Sequence, residues 1–209
     1  MGMKMLLIRH GQSVANAEGR LQGQLDSPLT DLGRSQARAL GRRLVREGWV
    51  ASAIYTSDLV RASETAQILS ASLGAPVVCD DRLREYGVGV LTGLDWPEIK
   101  ARFPEIWHGL EHSPSWTPIP GEEGNGPFCA RLLAALAEIR SGHGDGQAVA
   151  IVSHGGSLGV MLAHLLGMEV KRPTPFWFGN ASLSVVEFRS RGAVLSRLND
   201  TCHLDSGLG

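Results

Sequence analysis

The apolar pattern opens with an unbroken run, Met5-Leu6-Leu7-Ile8, that stops abruptly at Arg9-His10-Gly11. A short run without alternation predicts a strand buried on both faces. The polar stretch from Gln12 to Pro28 follows as a loop. Thr30 then caps a helix running to about Glu47, with Ala37, Leu40, Gly41 and Leu44 at helical spacing and Gly48 as its end. Ala53-Ile54-Tyr55 reads as a second strand. Ala62, Ala66, Leu69 and Leu73 form the inward face of a second helix stopped by Gly74. Pro76-Val77-Val78 reads as an edge strand, because proline cannot donate to a ladder. The order βαβαβ predicts parallel strands joined by right-handed crossovers.

Beyond a glycine-rich connector, Asp81 to Gly93, the stretch Asp95-Trp96-Pro97-Glu98 carries a cap and a first-turn proline. Periodicity then disappears from Phe103 to Pro127, where prolines 104, 114, 118, 120 and 127 alternate with Trp107 and Trp116. A loop of that length inside a compact domain predicts a lid-like or binding segment over about 103–127. Phe128, Leu132, Ala135, Leu136 and Ile139 mark an amphipathic helix. Ala148 to Val152 is a second fully apolar strand, ending in Ser153-His154-Gly155-Gly156 and passing into a helix with Leu158, Met161, Leu162 and Leu165 inward. Residues 182–189 and 193–198 form a last strand pair turned at Arg191-Gly192, and the tail after Leu204 is expected to be loose. With no repeat and no boundary, residues 1–209 are expected to form one domain.

Composition narrows the function without choosing it. Of 209 residues, 43% are hydrophobic and 20% charged, with a formal net charge of −1, so no basic surplus marks a nucleic-acid binder. No apolar run approaches a membrane span, and the opening run is too short for a signal peptide. Three widely spaced cysteines, Cys79, Cys129 and Cys202, form no CxxC and read as reduced thiols, which fits a cytoplasmic protein.

Two strand ends share one design. Each of the two fully apolar strands ends in a histidine followed by glycine, and ligands of open α/β sheets bind at such ends. If the strands are neighbours, His10 and His154 face one crevice. There Gly155 and the following helix N-terminus favour an anion. A lone histidine is more often a satisfied core residue, but two at matching strand ends, one after Arg9, favour a site. Arg61 stands in the first turn of the second helix, a poor place for a cation unless an anion lies nearby. Arginine suits phosphate because its rigid fork matches the phosphate oxygens. Glu85, at the start of the connector, is either an exposed partner of Arg82 or Arg84 or a general acid. Burial and anionic surroundings would favour its protonated form. His108-Gly109-Leu110-Glu111-His112 matches H-x-x-E-H, but Gly109 and Pro114 make a poor helix, so no metal site is expected. The Gly155-Gly156-Ser157-Leu158-Gly159 run is not a dinucleotide fingerprint.

Taken together, five ordered segments resemble the histidine phosphatase superfamily, in its phosphoglycerate mutase-like branch. They are Arg9-His10-Gly11-Gln12-Ser13-x-x-Asn16; Gln22-Gly23 with Asp26-Ser27-Pro28-Leu29-Thr30-x-x-Gly33; Ser57-Asp58-Leu59-x-Arg61-Ala62-x-x-Thr65-Ala66; Leu83-Arg84-Glu85; and Ser153-His154-Gly155-Gly156. The resemblance implies a three-layer α/β/α sandwich with a mostly parallel central sheet. It implies that His10 attacks phosphorus and becomes phosphohistidine. Arg9, Arg61 and His154 would stabilise the phosphoryl charge with Asn16 helping, and Glu85 would protonate the leaving alcohol and then activate water. Ser13, Gln22, Gly23 and Gly155 are further expected phosphate or substrate contacts. No metal and no cofactor is implied. The partner is a small phosphorylated metabolite, with a homodimer left open.

Within the family, the short chain and the Leu21-Gln22-Gly23-Gln24-Leu25-Asp26 stretch look more like small-molecule phosphatases than mutases. The alternatives are a cofactor-dependent phosphoglycerate mutase and a non-catalytic phospho-ligand module. Gly121-Glu122-Glu123 departs from the usual Gly-Glu-Ser, and a carboxylate there is expected to disfavour highly anionic substrates.

Overall fold

The computed structural model describes residues 2–112, 117–170 and 174–205. Its centre is a six-stranded sheet made of β1 (Lys4–Arg9), β2 (Ile54–Thr56), β3 (Val77–Cys79), β4 (Ala148–Ser153), β5 (Leu183–Arg189) and β6 (Gly192–Asp200), in the order β3-β2-β4-β1-β5-β6. The first four of these pair in parallel, while β5 joins β1 and β6 joins β5 antiparallel. The two all-apolar runs are therefore the central strands. They sit side by side in the register Met5↔Val149 to Arg9↔Ser153, which aligns their C-terminal tips.

Strand alternation then builds two cores. Met5 and Leu7 of β1, with Val149 and Ile151 of β4, pack against Leu132 and Leu136 of α6 (Asn125–Ser141) and Leu158 and Leu162 of α7 (Gly155–Leu165). Leu6 and Ile8, with Ala150 and Val152, face the other way, onto Leu40 and Leu44 of the helix Asp31–Arg46 and Ala62, Ala66 and Leu69 of the helix Val60–Leu73. With the short helix Val14–Ala17 as α1, these two are α2 and α3. The result is the expected α/β/α sandwich, since a strand run buried on both faces needs a helical layer on each side. Thr30 caps α2 by accepting from Gly33 N, and Gly74 ends α3 in the left-handed region.

The expectation of an aperiodic lid over about 103–127 is corrected. After α4 (Trp96–Arg102), residues Pro104–His112 form a helix, α5. Pro104 is its first residue, where a missing N–H costs nothing and the fixed φ suits the helix. The proline that looked like a breaker is a starter. Helix α6 likewise begins at Asn125 rather than at Phe128, with Pro127 inside its first turn. Pro114 and Trp116 lie outside the described residues, as do the final four residues of the tail; Cys202–Asp205 forms a short helix, α8.

Candidate active site

Strand pairing delivers the two histidines to one place. The His10 and His154 ring centroids are 5.1 Å apart. His10 is held by its backbone: its N–H donates to Ser153 O at 3.0 Å, and its carbonyl accepts from Ala181 N at 3.0 Å and Asn180 Nδ2 at 3.3 Å. Ala181 sits at φ +55°, a left-handed conformation that costs an alanine energy and is kept here beside the site. Gly11 presses against α2. A β-carbon on it would lie 2.4 Å from Gly33 O, and one on Gly33 would lie 2.1 Å from Gln12 O. Both positions need glycine for the loop after β1 to turn this tightly.

The hydrogen bonds assign the tautomers. His10 Nδ1 lies 2.7 Å from Gly11 O. A carbonyl only accepts, so Nδ1 carries the proton and Nε2 keeps its lone pair. Arg61 Nε donates to His154 Nδ1 at 3.2 Å. That nitrogen is therefore the acceptor, and the His154 proton sits on Nε2. His154 Nε2 and Arg9 Nε are buried and bond to none of the described residues. Burial, followed by the neighbouring Arg9 and Arg61 charges, holds the His10 pKa well below 6.5. Burial, followed by the Arg61 charge, does the same for His154. One ring thus offers a lone pair and the other an N–H.

Arg9 and Arg61 are positioned differently. Arg9 Nη1 donates to Phe178 O at 2.5 Å, with Nε left over. Arg61 is buried, and its Nη1 and Nη2 donate to Leu25 O at 2.7 Å and Gly23 O at 2.8 Å. Desolvation, opposed by Glu85 and Asp26, pushes the Arg61 pKa down to about 10. Asn16 Oδ1 accepts from Ser13 N at 3.2 Å and Asn180 Nδ2 at 3.1 Å, so its amide nitrogen is the group left for the cavity. Gln22 Oε1 accepts from Ser13 Oγ at 2.9 Å, which leaves Gln22 Nε2 in the same way.

Arg9, His10, Asn16, Gln22, Gly23, Arg61, Glu85, His154 and Gly155 all line one cavity of about 560 Å³. Ser13 does not. Its buried hydroxyl caps α1 and holds Gln22, so it orients Asn16 and Gln22 instead of facing the cavity.

Glu85 is fastened from both sides. Its Oε1 accepts from Tyr86 N at 2.9 Å and its Oε2 accepts from Gly156 N at 2.9 Å, while Ser157 Oγ, which donates to Arg84 O at 2.9 Å, lies 3.3 Å from Oε1. A β-carbon on Gly156 would sit 2.6 Å from Glu85 Oε1, so a side chain there would displace the Glu85 carboxyl. Behind it, Arg131 donates to the carbonyls of Arg82, Arg84 and Glu85 at 2.7–2.9 Å.

This arrangement corrects the expectation for Glu123. Its carboxylate takes the Arg131 fork at 2.5 and 2.9 Å and the Gly87 N–H at 3.2 Å, and it is not on the cavity wall. An arginine neutralises it, and it braces the Glu85 segment from outside. Glu85 itself pairs with neither Arg82 nor Arg84, whose partners are Asp80 with Glu138, and Asp58.

The groups that sequence reasoning missed are Asn180, Ser157, Arg131 and the Phe176-Trp177-Phe178 run. Only the aromatic run has a sequence signal. The other three act through contacts between distant elements. Leu110, Thr117 and Ile119 of the 103–127 stretch stand on the cavity wall, whereas Trp107 and the described prolines of that stretch do not. The His108–Glu111–His112 triplet falls on α5, contrary to the poor helix expected. Among the described residues no group of three or more His, Cys, Asp or Glu is arranged to hold a metal ion.

The depressed histidine pKa values carry a stability prediction. The unfolded chain takes up protons on both rings as pH falls through about 6.5, whereas the folded protein does so only lower. Stability therefore falls with decreasing pH in that window, by up to roughly 1.4 kcal/mol per pH unit per ring. Urea unfolding between pH 7.5 and 5 reads this slope. The variant carrying His10→Gln and His154→Gln should flatten it, and an unchanged slope in that variant would refute the assignment.

The chain is similar to known proteins over nearly its whole length. The profile described as "Histidine phosphatase superfamily (branch 1)" matches residues 5–201. "Phosphoserine phosphatase 1" of Hydrogenobacter thermophilus is 33% identical over 202 residues, covering 97% of this chain and 94% of that one. "Probable phosphoglycerate mutase GpmB" of Yersinia enterocolitica is 35% identical over 214 residues, covering 97% and 95%. Among solved structures, a mycobacterial glucosyl-3-phosphoglycerate phosphatase complexed with VO3 superposes with a TM-score of 0.82 at 32% identity, covering 94% of this chain and 98% of that one.

Proposed function

The chain belongs to the histidine phosphatase superfamily, and we propose that it hydrolyses small-molecule phosphate monoesters through a phosphohistidine on His10. The observation that carries this reading is the opposed tautomers of the two buried histidines, a lone pair on His10 Nε2 beside an N–H on His154 Nε2. A nucleophile must be neutral, while a phosphoryl cradle must donate.

The lone pair of His10 Nε2 attacks phosphorus, and the bond to the ester oxygen breaks. Arg9 Nε–H and His154 Nε2–H, with the Asn16 and Gln22 amide nitrogens, receive the phosphoryl oxygens. Gly155 allows a close approach at the N-terminus of α7. Arg61 contributes positive field and fixes the His154 tautomer through Nε, while the Gly23 and Leu25 carbonyls hold it still. The Glu85 carboxyl gives its proton to the departing alkoxide. As a carboxylate it then takes a proton from water, whose oxygen attacks the phosphohistidine. Phosphate leaves and neutral His10 returns, so protons and charges balance over the cycle.

The positive charge in this scheme comes from side chains, so activity is expected to survive a chelator. No helix among the described residues is long and apolar enough to cross a membrane, and the three cysteines lie on separate elements, β3, α6 and α8. A cytoplasmic setting suits both.

The test is p-nitrophenyl phosphate hydrolysis with EDTA present, with acid-labile, alkali-stable label trapped on the enzyme from a ³²P-ester. Chelator-sensitive hydrolysis or an acid-stable label would overturn the mechanism. Bisphosphate-primed conversion of 3- to 2-phosphoglycerate exceeding hydrolysis would replace it with the mutase reading, for which the similarity to GpmB is the supporting fact.

A further inference from the structure

The cavity lining is of two unlike kinds. Arg9, His10, Arg61, Glu85 and His154 make one set. Leu21, Val88, Leu91 and Ile119 make an apolar one, and two exposed tryptophans join it. Trp96 is 50% exposed and Trp177 is 72% exposed. Single exposed aromatics are ordinary, but two on one cavity wall make a surface for a partner. Trp96 is the first residue of α4 and leans on Trp107 with centroids 5.9 Å apart. Trp177 precedes Phe178, whose carbonyl holds Arg9. The indole is thus tethered one residue from the phosphate end.

Charge is nearly absent from the apolar part of the described lining. Among the described residues its one ionic side chain is Arg20, which already pairs with Glu98 at 2.8 Å and Glu18 at 3.1 Å and donates to Gly93 O. Two carboxylates on one guanidinium leave no free cation among the described lining residues for a leaving-group carboxylate. A seryl leaving group would also bring an ammonium, and Glu85 is committed to the transferring proton. Neither serine charge would find, among the described lining residues, a replacement partner for the water it loses, which is costly against an apolar wall.

Building on the phosphatase reading, we infer that the alcohol released from the substrate is uncharged and carries a ring, which stacks on Trp177 of the cavity lining. Trp177 is then the residue that sets specificity, and phosphoserine is a poor substrate despite the similarity to a phosphoserine phosphatase.

The test compares kcat/KM for 2-phenylethyl phosphate, O-phosphoserine and glycerol 1-phosphate, all primary alkyl esters, so that leaving-group acidity does not decide the order. The ring ester should exceed phosphoserine by about tenfold or more. Trp177→Ala should raise KM for the ring ester about two- to tenfold, the range of one aromatic contact, and more than it does for glycerol phosphate. Trp177→Phe should restore most of the difference. Phosphoserine turned over as well as the ring ester, or a Trp177→Ala loss equal for all three esters, would overturn the inference. Failure of every ester, p-nitrophenyl phosphate included, would overturn the phosphatase reading beneath it.

Discussion

His10→Ala is expected to remove turnover and the trapped phosphoenzyme together. Loss of a covalent nucleophile costs enzymes roughly 10⁴-fold or more, because the remaining cradle can bind the ester but has nothing to transfer the phosphoryl group to. The structure separates this loss from unfolding. The bonds that place residue 10, from its N–H to Ser153 O and from Ala181 N to its carbonyl, are backbone bonds that alanine keeps. The variant should still melt cooperatively and still bind inorganic phosphate, since Arg9 Nε and His154 Nε2 are untouched. Residual activity within tenfold of the parent, in a folded variant, would show that His10 is not the attacking group.

Glu85→Gln should lower turnover of aliphatic esters by about 10²- to 10⁴-fold, the usual yield of general acid–base catalysis. Its signature is the contrast with p-nitrophenyl phosphate. Nitrophenolate leaves with little help from a proton, so transfer to His10 survives, while the attacking water still lacks its base. A burst of nitrophenol followed by slow steady release is the expected trace, with labelled enzyme accumulating. Glutamine has the shape of glutamate but cannot accept on both sides. Glu85 accepts from Tyr86 N on one oxygen and from Gly156 N on the other. One of those donors loses its partner in the variant, and a small fall in Tm should accompany the kinetic effect. Equal losses on both ester types, with no burst, would count against Glu85 as the proton carrier.

How far the site was legible follows from how local each signal is. The two all-apolar strands with histidines at their tips could be read directly, because burial on both faces leaves a continuous run and a strand's end is marked by the first charge. The caps at Thr30 and Gly74 were legible for the same reason, being satisfied within one turn. Pro104 misled because proline is a breaker inside a helix and a starter at its first position, and the sequence does not mark which applies. Ser13 misled because a hydroxyl in a phosphate motif reads as a ligand, while its buried Oγ serves Asn16 and Gln22. Glu123 misled because its neutralising partner, Arg131, lies on the next helix and reveals itself only by contact.

The sequence by itself determined the parallel run of the first strands, the two fully buried strands that end in histidines, and the residue types that could meet at their ends, since these follow from periodicity and from motifs of fixed spacing, while the three layers came with the family resemblance. Tertiary structure decided the rest. Register alone brings His10 within 5.1 Å of His154. Only folding sets Arg61 against His154 Nδ1 and Gly11 O against His10 Nδ1, and so gives the two rings opposite tautomers. The His154 tautomer depends on a donor that lies 3.2 Å away across the fold, and no local pattern in a chain encodes that.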